Sequence, residues 1–72
     1  MKVTYIDPNG VILTVFEFAK YDEPPFVPAV GTVVKFPENE TTYLASRVEL
    51  EFISGRGSWT PEVTVRLRKL EY

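Results

Sequence analysis

The chain has 72 residues, which is one domain at most. It holds no cysteine and no histidine, so disulfide staples and thiolate metal sites are excluded, and the commonest general base and thiol nucleophile are absent. A net charge of −2 excludes a strongly basic chain, while 44% hydrophobic and 14% aromatic residues argue against disorder.

The charge is uneven. Residues 1–40 hold three basic against six acidic side chains, and residues 41–72 hold five against four. Neither part is a basic arm of the kind that binds nucleic acid by charge alone. The start, "MKVTYIDPNG", reaches a turn before a long apolar region can form, so no signal peptide is expected. The run "VILTVF" is too short to cross a bilayer as a helix. The expectation is a cytoplasmic chain with no membrane partner.

The first element is "KVTYI", a strand expected over 2–6. "DPNG" follows as a hairpin turn, with Pro8 at the first central position and Asn9 or Gly10 taking the left-handed conformation. A second strand is expected over 11–21, long enough to bend and serve two sheets. "DEPPFVPAVG" (22–31) carries three prolines and reads as an extended connection, because proline removes backbone donors and holds its predecessor extended. Its Phe26, Val27 and Val30 are expected either to cover an open edge of the core or to form a recognition surface.

"TVVKF" (32–36) reads as a short strand with Val34 and Phe36 on one side. "PENE" is a polar turn. The following "NET" (39–41) matches a glycosylation acceptor and reads as a turn in a chain without an export signal. "TTYLASRVELEF" (41–52) is the clearest strand. Its alternation places Leu44, Ser46, Val48, Leu50 and Phe52 inward. "EVTVRLRKL" closes the chain with Val63, Val65 and Leu67 inward and Thr64, Arg66 and Arg68 outward. Charge pairing suggests a register with Glu51 opposite Arg66 and Glu49 opposite Arg68, since opposed like charges destabilise. That register makes "GRGSWTPE" a loop too long for a two-residue turn.

Five strands, hairpin-length connections and no helix define an all-β fold. A small five-stranded SH3-like barrel or a strongly bent antiparallel sheet is expected, because closure or bending protects exposed edges. An open meander completed by dimerisation is the next architecture, and an OB-type barrel, which needs more chain, the third.

"PFVPAVGTVVKF" and "YLASRVELEF", followed by "VTVRLRKL", resemble a recurrent pattern in small uncharacterised β-barrel proteins of bacteria, phages and mobile elements. Pro28, Val30, Gly31, Val34, Tyr43 and Val48 fit that pattern, and Ala45 stands where a valine is often seen. The resemblance covers about half the chain. It implies a small barrel and a prokaryotic or phage-related origin, and it carries no catalytic residue.

Catalysis is not expected. The serines lack a base and orienter, and the carboxylate pairs Asp22/Glu23, Glu38/Glu40 and Glu49/Glu51 read as solvated faces and loops. No cofactor or metal is implied. Trp59 and Arg56 sit in a glycine-flanked segment and suit a protein partner, as does Phe26, because Trp and Arg are enriched at interface hot spots. The bland reading of Trp59 is a ring folded back over the barrel end to cap the core. A second use for Trp59 and Arg56, with Arg66 and Arg68, is nucleic-acid binding, by stacking beside phosphate contacts. The function expected is therefore a small non-enzymatic protein-binding module or assembly subunit, with homo-oligomerisation through strand edges as a further expectation. A nucleic-acid-binding barrel is the alternative.

Overall fold

The computed structural model describes residues 1–18, 27–55 and 57–70. Five strands appear among them: β1 Lys2–Ile6, β2 Ile12–Glu17, β3 Val33–Lys35, β4 Thr42–Gly55 and β5 Ser58–Lys69. They form one sheet in the order β2-β1-β5-β4-β3. The fold is all-β, a five-stranded sheet curled into a half-barrel. The sheet is mixed rather than wholly antiparallel, because β1 runs parallel to β5 while the other three pairs are antiparallel.

The β1–β2 reversal is built as its residues dictate. Asp7 Oδ1 accepts from the backbone N–H groups of Asn9 and Val11, each at 2.9 Å. The Gly10 N–H donates to the Asp7 carbonyl at 3.0 Å. Gly10, not Asn9, takes the positive φ, at 84°. A bulge follows, because Tyr5 pairs with Thr14 and Ile6 with Ile12, leaving Leu13 extra. Leu13 packs against the core. The second strand was expected over 11–21 and as a link between two sheets. Its described part is six residues long and lies in a single sheet, and positions 19–21 lie outside the described residues.

The core consists of Val3 from β1, Tyr43 and Ala45 from β4, and Val63, Val65 and Leu67 from β5. The inward face expected for the last strand is thus present. That expected for β4 is corrected. Tyr43 and Ala45 are buried in place of Leu44 and Ser46, while Leu50 and Phe52, although on the core face, are exposed because the strand runs out past the body. The first difference is caused by a bulge. Ala45 pairs with Leu67 but Arg47 pairs with Arg66, so Ser46 is an extra residue that reverses the pleat. The Ser46 hydroxyl donates to the Arg66 carbonyl at 3.1 Å, giving that acceptor a partner where the ladder is interrupted.

Curling follows from three edge-to-face ring contacts. Tyr5 meets Phe16 at 6.1 Å and Phe36 at 5.8 Å, and Phe36 meets Tyr43 at 6.1 Å. Phe36 follows β3, which is separated from β1 in the sheet by β5 and β4, so Phe36 can reach Tyr5 only if the sheet bends. The curl leaves a cleft of about 340 Å³ between Leu13, Thr14 and Phe16 on one side and Phe36, Pro37, Glu38 and Asn39 on the other. The Tyr43 hydroxyl accepts from Asn39 Nδ2 at 3.0 Å, and Asn39 Oδ1 accepts from the Thr41 N–H at 2.9 Å. Asn39 therefore serves the turn before β4.

In the Pro-rich connection, Pro28 is buried and Val27 packs against the core. Val30 does not cover it and is exposed, at the turn where Gly31 takes φ 95° and the Thr32 N–H donates to the Ala29 carbonyl at 3.1 Å. Phe26, expected to cover the core edge or contact a partner, lies outside the described residues.

Candidate functional site

The register between β4 and β5 decides what the site is. Gly55 pairs with Ser58, so the reversal has two residues, 56 and 57, with Gly57 at φ 81°. The expected eight-residue loop is instead mostly strand. The expected charge register is also overturned, since Glu51 stands opposite Glu62, Glu49 opposite Thr64 and Arg47 opposite Arg66. The tight turn and the apolar pairs Val48–Val65 and Leu50–Val63 outweigh opposed like charges worth a few tenths to about 1 kcal/mol each.

The result is a two-stranded arm. The protein measures 47 × 19 × 19 Å, so one dimension far exceeds the other two. Directly paired residues share a face of a sheet. One face therefore carries Leu50 with Val63, Phe52 with Pro61, and Ser54 with Trp59. This face continues the core face of β5, on which Val63, Val65 and Leu67 are buried. The apolar ribbon thus starts inside the body and runs out past it. Leu50 is 59%, Phe52 55% and Trp59 71% exposed. Trp59 does not cap the core.

The other face of the arm carries Glu51 opposite Glu62 and Ile53 opposite Thr60. Lys2 pairs with both Glu62 and Glu17, so a row of mostly acidic side chains crosses the outer sheet there. Nearer the body, Glu49 Oε1 accepts from Arg66 Nε at 3.0 Å and forms an ion pair with Arg47 Nε, also at 3.0 Å. Arg68 is exposed on the same face, opposite Leu44.

Of the side chains that the sequence put forward, Trp59 is at the arm tip on the apolar face. Arg66 and Arg68 lie on the opposite face, seven and nine residues further along β5. At about 3.3 Å per residue, Arg66 is roughly 23 Å from Trp59 along the strand. The structure does not bring these groups together. Arg56 lies outside the described residues. Sequence reasoning missed Leu50 and Phe52, which were expected inward. The available signal was length, because β4 has 14 residues where β1 has five.

Burial raises the Tyr5 phenol above its ordinary value of 10.0. Among the described residues no three Asp or Glu side chains are grouped to hold a metal ion. No described helix is long and apolar enough to cross a membrane.

Comparison with protein-family models, with curated proteins and with solved structures finds no match to this chain.

Proposed function

We propose that this chain is a small non-enzymatic protein-binding module or assembly subunit, and that the apolar face of the β4–β5 arm is its contact surface. The observation that carries this is the exposed run of Leu50, Phe52 and Trp59 on one face of a projecting hairpin. Large side chains this open are costly to keep in water unless something covers them, at about 25 cal/mol per Å² of apolar surface. Clustered on one face rather than scattered, they have the form of an interaction patch. Tryptophan at the tip adds the side chain most often found at the energetic centre of an interface.

A nucleic-acid partner is less well supported. Of the cations named for stacking beside Trp59, Arg66 and Arg68 lie on the other face, and Arg56 lies outside the described residues. Glu51 and Glu62 flank the arm and repel phosphate.

The test is affinity capture from extracts of the source cell with two arm variants. Phe52→Glu places a charge on the apolar face, and Thr60→Glu places one on the polar face. The partner recovered with wild type is then titrated as a pure protein. Binding lost with Phe52→Glu and kept with Thr60→Glu supports the reading, provided both variants keep the wild-type circular dichroism. Equal binding by both variants contradicts it.

A further inference from the structure

We infer that the arm's apolar face is covered by the same face of a second copy of this chain, the two arms lying antiparallel about a two-fold axis. The inference rests on the reading of the arm as a contact surface and names its partner.

The first argument is the order of side chains along the arm. From base to tip the rungs are Leu50–Val63, Phe52–Pro61 and Ser54–Trp59. Turned end for end, the same ladder sets the Phe52–Pro61 rungs against each other at the axis. The wide Trp59 of each copy then falls on the Leu50–Val63 rung of the other. Ser54, the small member of the tip rung, leaves room beside the indole. A second copy carries the matching ladder by construction, and a two-fold contact of this kind closes without leaving a free sticky end.

The second argument is charge. Glu51 and Glu62 point away from the apolar face. Two arms packed apolar face to apolar face keep these carboxylates in water on the outside of the pair. Burial of an unpaired charge, which would cost several kcal/mol, is thus avoided.

The third argument is geometry. Six residues per strand, Leu50 to Gly55 and Ser58 to Val63, make an arm of roughly 20 Å. The whole protein is 47 Å long and 19 Å across, so the arm is close to half of its length. Arms that project this far can lie side by side with the two bodies at opposite ends.

Area gives the class of contact. Leu50, Phe52 and Trp59 expose on the order of 400 Å² of apolar surface, the size at which a patch marks an interaction site. Two such faces remove roughly 800 Å² from water, below the span of about 1,200–2,000 Å² seen in stable complexes and within that of weak, transient ones. The pair is therefore expected to be weak and to dissociate on dilution.

The experiment is sedimentation velocity on the whole chain from about 1 µM to about 1 mM, the range in which weak pairs form. Wild type, Phe52→Glu, Trp59→Ser and Thr60→Glu are compared, with circular dichroism as the check on folding. The expected result is a concentration-dependent dimer for wild type and Thr60→Glu, weakened about tenfold or more in the two apolar-face variants. Emission from Trp59, the only tryptophan, should shift to the blue as wild-type dimer forms. A folded wild type that stays monomeric throughout overturns the second copy as occupant. If capture of another protein still depends on Phe52, the arm remains a contact surface. A dimer that forms equally well in all four proteins overturns the assignment of the seam to this face. Should Phe52→Glu fail to fold, Trp59→Ser decides alone, since that side chain lies at the tip and supports nothing in the core.

Discussion

Arg47 and Arg66 stand directly opposite each other across β4 and β5, and both reach one carboxylate oxygen, Glu49 Oε1, at 3.0 Å. Two like charges face to face destabilise a strand pair, and Glu49 offsets them. All three side chains are substantially exposed, so the effect is screened. Replacing Glu49 by Gln should lower stability by about 0.5–1 kcal/mol, measured by urea unfolding. Arg47→Ala should cost less than that, because it removes repulsion together with attraction. A double-mutant cycle of the two should give a coupling that shrinks as salt rises.

Ser46 is the extra residue that turns the pleat over between Ala45 and Arg47. Deleting it should be far worse than changing its side chain. The deletion forces either Tyr43 and Ala45 or Val48 out of their present places, since one residue of slip moves a whole strand face. The predicted outcome is loss of cooperative unfolding. Ser46→Ala removes only the 3.1 Å hydrogen bond to the Arg66 carbonyl, which is exposed, and should cost about 0.5 kcal/mol. Thermal melts of the two variants check this difference.

The Ser46 bulge also marks where sequence reading stops being reliable. β1 and the inward Val63, Val65 and Leu67 were legible, because their alternation is uninterrupted. In β4, Tyr43 and Ala45 compete with Leu44 and Ser46, and neither parity is clearly more apolar, so nothing announced the switch. Charge pairing then pointed to the wrong register, since ion pairs on an exposed face weigh less than a tight turn and two apolar rungs. Of the candidate surface, alternation places Arg66 and Arg68 on the outer face, where they lie. Leu50 and Phe52 read as core because period-two alternation says which way a side chain points, but not whether any body stands beneath it.

Tyr5 links stability to pH. Burial raises its folded-state value above the ordinary 10.0 of the unfolded chain. The phenol is protonated in both states at neutral pH, so its contribution is fully present below about 10. As pH rises past that value, the unfolded chain loses the proton first and gains relative stability. The folded state should therefore weaken through the range above pH 10. Tyr5→Phe should flatten that part of the profile. Stability by denaturant titration at several alkaline pH values, wild type against variant, isolates the effect from other titrating groups.

Everything assigned to the arm depends on Trp59 standing in water when the protein is alone. Steady-state emission and acrylamide quenching of this single tryptophan, in dilute folded protein, measure that directly. A water-exposed emission maximum with ready quenching is predicted, both moving toward shielded values only at high concentration or with a bound partner. Blue, poorly quenched emission at every dilution, with unfolding on Trp59→Ser, would place the indole in the core and contradict the account.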